Sequence, residues 1–177
     1  VYVCNHQSNF DIFTVTGAVR PGVVAVGKKS LLWLPFFGLI FWLSGNVLID
    51  RSNRSRAIGT IGQVVDRIKH HGTSIWMFPE GTRQHGPEVQ PLFDGPAFVQ
   101  SRTGVPIVPV GIGGSEAAMP KGAKFIKPRP VRLVVGPPLV ASTATGSKAR
   151  RAAVRDRTAE LHRVVQDLFD RAQQEAG

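Results

Sequence analysis

The sequence predicts an α/β fold built as a single domain. Short β-branched runs alternate with longer segments of helical periodicity, the pattern of one α/β layer structure. A length of 177 residues is enough for one sizeable core and short of what two independent domains need. Composition agrees: 42% of residues are hydrophobic, 19% are charged and no segment is compositionally simple, which excludes a disordered chain or a collagen-like fibre.

In chain order, a strand at 1–4 leads to a helix at 10–19 that Ser8 or Asn9 can cap. A strand at 23–26 precedes the most apolar window, 31–43, whose helical pattern is interrupted at Pro35 and Gly38. Its 13 residues fall short of the roughly 20 that a membrane-spanning helix needs, so it is expected to be buried or interfacial. Its surplus of Trp, Phe and Leu fits either core packing or the wall of a hydrophobic groove. A strand at 47–49 follows, then a helix at 54–70 in which Ile58, Ile61, Val64, Val65 and Ile68 recur at helical spacing, an amphipathic crossover. The remaining elements are a strand at 74–78, a helix at 95–103, strands at 107–110 and 131–135, and a C-terminal helix over about 148–175. That last helix carries Val154, Leu161, Val164, Leu168 and Phe169 on one side. Two long loops, 79–92 and 111–130, are where a rigid sheet would present function.

Twenty-two Lys and Arg against twelve Asp and Glu give a net charge of +10, which implies an anionic counterpart: nucleic acid, phosphorylated metabolites or an acidic membrane surface. From 121 to 151 there are eight Lys or Arg and no acid, either a solvated charged face or a footprint on an anionic membrane. Nucleic acid is disfavoured because Trp33, Trp42, Trp76 and most phenylalanines lie in apolar segments rather than beside the cations. Cys4 has no second cysteine to pair with, so a reducing setting is the default. The chain begins at Val1 without Met, basic leader or signal-peptide pattern, and an N-terminal portion is expected to be missing.

Four blocks carry candidate chemistry. The first, Asn5-His6-Gln7-Ser8-Asn9-Phe10-Asp11, places a His and an Asp with four residues between them at the exit of a strand. A turn there can bring Asp11 back to one ring nitrogen, leaving the other to take a proton from a hydroxyl. Spacing alone is weak evidence, since His162 and Asp167 repeat it inside the C-terminal helix, where five residues rotate the side chains about 140° apart. The second block, Phe78-Pro79-Glu80-Gly81-Thr82-Arg83, follows a strand, with Gly81 permitting close backbone approach and Arg83 offering a fork of donors for phosphate. In the third, Gly45-Asn46-Val47-Leu48-Ile49-Asp50-Arg51, the arginine is either a second phosphate ligand or half of an ion pair with Asp50. The fourth, Val105-Pro106-Ile107-Val108-Pro109-Val110, reads as a buried structural strand.

Two decoys fail. Gly22-Val23-Val24-Ala25-Val26-Gly27-Lys28-Lys29 nearly fits a phosphate loop, but its middle residues are strand formers and Lys29 replaces the Mg²⁺-binding Ser or Thr. His70 and His71 are adjacent and His85 has only Glu88 nearby in sequence, so no zinc site is expected.

In combination and in this order, the four blocks resemble the glycerolipid acyltransferase family, whose best-known bacterial members are 1-acyl-sn-glycerol-3-phosphate acyltransferases. The resemblance covers about 1–139 and includes Gly27-Lys28-Lys29-Ser30-Leu31 and Pro35-Phe36-Phe37-Gly38. It implies a mixed sheet flanked by helices, of the glycerol-3-phosphate acyltransferase type, with 1–177 as one acyltransferase domain lacking N-terminal membrane-contacting helices. It further implies His6 as general base and Asp11 as its orienter, with Glu80, Gly81, Thr82 and Arg83 binding the glycerol phosphate acceptor and Arg51 as helper. The implied donor is acyl-CoA or acyl carrier protein, with no bound cofactor. The implied acceptor is a lysophosphatidate, or alternatively glycerol 3-phosphate or another lysolipid. The implied setting is an anionic membrane surface on the cytoplasmic face, reached peripherally or through the missing segment. Two positions depart from the family pattern: Gln84 stands where Ser is common, and Phe93-Asp94-Gly95-Pro96 stands where Phe-Lys-Lys-Gly is frequent, putting an acid in place of a base. A nucleic-acid-binding module or one that only binds lipid is the non-catalytic alternative.

Overall fold

The computed structural model describes residues 1–19, 22–50, 53–83, 85–120, 122–123, 125–142 and 146–177. Its strands are β1 (Tyr2–Cys4), β2 (Val23–Lys28), β3 (Val47–Ile49), β4 (Ser74–Met77), β5 (Val108–Gly113) and β6 (Arg132–Val135). They form one sheet in the order β3-β2-β4-β1-β5-β6, parallel throughout except that β6 runs antiparallel to β5. The expected mixed α/β sheet is therefore observed. From β1 the chain winds to one side through β2, β3 and β4, then crosses to β5 on the other side. The reversal leaves a crevice at the carboxyl end of β1, where open parallel sheets place their ligands.

The helices are α1 (Asp11–Thr16), α2 (Phe37–Leu43), α3 (Arg54–His71), α4 (Gly95–Thr103), the single turn α5 (Ser115–Ala118) and α6 (Ser147–Ala176). Asn53 caps α3 by accepting from the Arg56 N–H, and Gly72 closes it in the left-handed conformation. Ile61, Val64 and Val65 of α3 pack on Val24, Val47, Ile49 and Ile75 of the sheet. Ile58, expected on the same face, is 59% exposed: it lies near the helix start, at the sheet end where the crevice opens.

The C-terminal helix buries Leu161, Val165, Leu168, Phe169 and Ala172, each large aliphatic or aromatic side chain contributing about 1.5–3 kcal/mol. Val154 and Val164 are only partly buried at the margins of that face. Its backbone approaches β5 so closely that a Cβ at Gly111 would lie 2.3 Å from the Leu168 carbonyl carbon, and one at Gly113 equally near that of Ala172. This explains a misread boundary: 111–113 is expected in a loop, yet it continues β5, because glycine in a strand here marks a passing helix. The expected first helix, 10–19, is shorter, ending at Thr16, and its N-cap is Phe10, with no side-chain cap bond, rather than Ser8 or Asn9.

The window 31–43 forms a 3-10 turn at Lys29–Trp33 followed by α2. Core packing is overturned for most of it: only Gly38 and Phe41 of α2 are buried, while Trp33 is 83% and Phe36 86% exposed. Among the described residues no helix is long and apolar enough to cross a membrane. The lysine-bearing decoy 22–29 is largely the strand β2, as its residue types predict.

Candidate active site

The site is assembled at the exit of β1. Asn5 is buried and prolongs the sheet with its side chain, donating to the Ile112 carbonyl at 3.0 Å and accepting from the Ile112 N–H at 2.7 Å. These two hydrogen bonds to β5 fix the direction in which the next residue leaves the strand. His6 follows, its ring stacked on Phe78 with centroids 4.5 Å apart.

The chain then turns through 7–10 into α1, whose first residue is Asp11. The Asp11 carboxylate is completely buried, and its Oδ2 accepts from His6 Nδ1 at 2.8 Å, the Gln7 N–H at 2.8 Å and the Ser8 N–H at 2.9 Å. Three donors converge on an oxygen that can only accept, so the His6 proton sits on Nδ1 and Nε2 carries the lone pair. His6 is 18% exposed, and Nε2 is bonded to none of the described residues. The result is an oriented base with an open face.

Strand β4 lies beside β1 and delivers the second block to the same end of the sheet. Glu80 is buried, and both its oxygens are engaged: Oε1 accepts from the His6 N–H at 2.6 Å and Oε2 from the Gln90 N–H at 2.9 Å. Burial pushes its pKa up, against the opposing pull of those two N–H groups. Glu80 thus clamps the turn that carries His6 to both ends of the 79–92 loop. At Gly81, φ is +75°, a conformation that L side chains rarely adopt, and a Cβ would press on the Phe93 ring at 2.3 Å, so glycine is strongly favoured. Thr82 is exposed, and Arg83 is partly exposed with no hydrogen bond or ion pair to the described residues. Arg51 lies outside the described residues. Asp50, its alternative ion-pair partner, accepts from Arg56 Nη1 at 3.2 Å.

Sequence patterns did not reveal how the rest of this loop is held. Gln7 Nε2 donates to the Gly86 carbonyl at 2.9 Å, His85 Nδ1 bonds Glu116 Oε1 on α5 at 2.8 Å, and Ser8 Oγ donates to the Met119 carbonyl at 2.7 Å. The Val89 N–H donates to Gln166 Oε1 at 2.7 Å, and His162 Nε2 donates to the Val89 carbonyl at 2.9 Å. Sequence proximity offered Glu88 as the neighbour of His85, whereas the partner lies 31 residues away. Asp94, the acid in place of a base, accepts from Thr158 on α6 at 2.7 Å.

This arrangement suits proton abstraction from a hydroxyl by His6. Covalent catalysis from the same turn is unfavourable: Cys4 is fully buried, its thiol pKa pushed well up by burial and by the nearby Asp11 and Glu80 carboxylates, and Ser8 is 2% exposed with its hydroxyl committed to Met119.

Comparison with known proteins bears on the family. A family model described as Acyltransferase matches residues 1–113. The chain is 53% identical over 110 residues to the 1-acyl-sn-glycerol-3-phosphate acyltransferase of Escherichia coli strain K12, covering 62% of this chain and 45% of that protein. It is 38% identical over 128 residues to the enzyme of the same name from Saccharomyces cerevisiae, covering 71% of this chain and 42% of that protein. The chain thus spans about half the length of the curated relatives it matches. The crystal structure of the 1-acyl-sn-glycerophosphate (LPA) acyltransferase PlsC from Thermotoga maritima superposes with a TM-score of 0.71 at 27% identity, covering 94% of this chain and 65% of that one.

Proposed function

The chain belongs to the acyltransferase family, and from that premise we propose that it transfers an acyl group from acyl-CoA or acyl carrier protein to the free hydroxyl of a lysophosphatidate, forming phosphatidate. The observation that carries the reading is the buried Asp11 carboxylate holding His6 Nδ1 at 2.8 Å, which leaves Nε2 as the base. Nε2 takes the hydroxyl proton as the oxygen attacks the thioester carbonyl. The tetrahedral intermediate then collapses, the C–S bond breaks, and the leaving thiolate receives the proton from the imidazolium, whose charge Asp11 stabilises. No covalent enzyme intermediate and no bound cofactor takes part.

Arg83, with Arg51 as helper, binds the acceptor phosphate through charge-assisted, bidentate hydrogen bonds. Thr82 and Gly81 line its approach. Glu80 is expected to serve this site by holding the loop in place, since its oxygens are already taken by backbone N–H groups. Asp94 accepts from Thr158 on α6, which gives one of its oxygens a partner within the chain.

The setting is an anionic membrane surface on the cytoplasmic face. The exposed residues Trp33, Phe36, Leu39, Ile40, Trp42 and Leu43, with Lys28 and Lys29 exposed at their start, fit the apolar and cationic halves of such a surface. The test is acylation of lysophosphatidate in anionic vesicles by wild type, His6→Ala and Arg83→Ala. Loss of turnover in the first variant and a raised acceptor KM in the second would support the assignment. An active His6→Ala protein would refute the base, and a clear preference for an uncharged lysolipid would refute the acceptor.

A further inference from the structure

We propose that His85 and Glu116 act as a positioning pair that sets the place of Thr82 and Arg83, and through them the affinity for the acceptor; this rests on the acyltransferase reading above. Glu116 lies on α5, directly after β5, and His85 lies in the loop after β4. β4 and β5 are the two strands flanking β1, so the 2.8 Å bond between His85 Nδ1 and Glu116 Oε1 joins the two loops that bracket the catalytic turn. The turn is itself tied to both partners, through Gln7 to the Gly86 carbonyl and through Ser8 to the Met119 carbonyl at the end of α5. The contacts form a closed ring of turn, loop and α5.

Thr82 and Arg83 span the gap between two anchors, Glu80 on one side and His85 with Gly86 on the other. Without the His85–Glu116 bond, the second anchor keeps the Gln7 contact to the Gly86 carbonyl and, where Glu116 remains, only a long 3.5 Å contact from the Gly86 N–H to Glu116 Oε2, and the stretch carrying Arg83 gains conformations it must lose again when the acceptor binds. Each side chain of the pair is 34% exposed, too open for a large share of global stability to depend on it. Its leverage is local, on the loop.

The experiment compares His85→Ala, Glu116→Ala and the double variant in the full chain, with lysophosphatidate in anionic vesicles and acyl-CoA as donor. Each single variant is expected to raise the acceptor KM roughly tenfold, with kcat within about twofold and the donor KM unchanged. The double variant should be no worse than either single. His85→Asn, which keeps an N–H donor, and Glu116→Gln, which keeps an acceptor, should restore most of the affinity. A second readout needs no turnover: trypsin cleavage after Arg83 should accelerate roughly tenfold in the alanine variants. Additive effects, an unchanged acceptor KM, or a loss confined to kcat or thermal stability would overturn the pairing. If the wild type does not acylate lysophosphatidate at all, the functional reading falls, and cleavage after Arg83 still decides whether the pair positions this stretch.

Discussion

Two segments of this chain carry the same spacing of His and Asp, and they do opposite things. At 6–11 the backbone leaves a strand, turns and re-enters as a helix, and the side chains meet at 2.8 Å. At 162–167 the backbone is continuous α-helix, so the side chains diverge: His162 reaches the Val89 carbonyl and Asp167 stays exposed. The comparison teaches that a spacing acquires chemistry only through the backbone that closes it. His6 also has features its counterpart lacks: an orienting carboxylate held by two backbone N–H groups and an aromatic ring beneath it. His162 spends its polar atom on holding a loop.

The largest effect should separate the two histidines. His6→Ala removes the proposed base and is expected to lower acyl transfer about 10²- to 10⁴-fold, whereas His162→Ala should leave kcat within a few-fold in the same assay. Next comes the orienter. Asp11→Asn keeps an acceptor for the three donors but removes the charge that stabilises the imidazolium and buries an NH2 where Oδ1 has no partner, so turnover should fall by about 10²-fold or more and stability by about 1–3 kcal/mol, readable from kinetics alongside urea melts. An Asp11→Asn protein with normal turnover would reduce the first pair to the status of the second.

A smaller effect is expected at Glu80, the clamp beneath His6. Glu80→Gln can satisfy only one of the two backbone N–H groups, so unfolding free energy should drop by about 1–3 kcal/mol with a lesser loss of activity. The same substitution tests the pH dependence. Burial raises the Glu80 pKa above its usual carboxylate value, so the native state holds this proton more tightly than the unfolded chain. Its contribution to stability therefore declines as pH rises through the interval just above the ordinary carboxylate range, and Glu80→Gln should flatten that slope. The smallest effect belongs to the second pair: Asp167→Asn should change stability by no more than about 0.5 kcal/mol, and a large loss would show that the helical pair is coupled after all.

Much of this was legible in the chain. The strand at 1–4, the crossover helix at 54–70 and the turn after Phe78 each rest on patterns confined to a few residues, and each is observed close to its expected place. The meeting of His6 and Asp11 could be anticipated because the turn residues between them are local. Other features could not. Gly111 and Gly113 look like loop residues until α6 is laid against them. The window 31–43 has the hydrophobicity of a core helix, and nothing within it states that the sheet leaves it uncovered.

The sequence by itself determined the residue types at the site, the turn that folds Asp11 onto His6 and the α/β alternation, because helix and strand periods and turn chemistry are written within a few neighbouring residues. Tertiary structure decided that Glu80 would serve backbone N–H groups, that His85 would find Glu116 and that His162 would hold Val89. Those partners are separated by 74, 31 and 73 residues. They meet because the strand order places β1 between β4 and β5 and lays α6 over the loop, and strand order is a property of the whole chain packing at once, which no local pattern encodes.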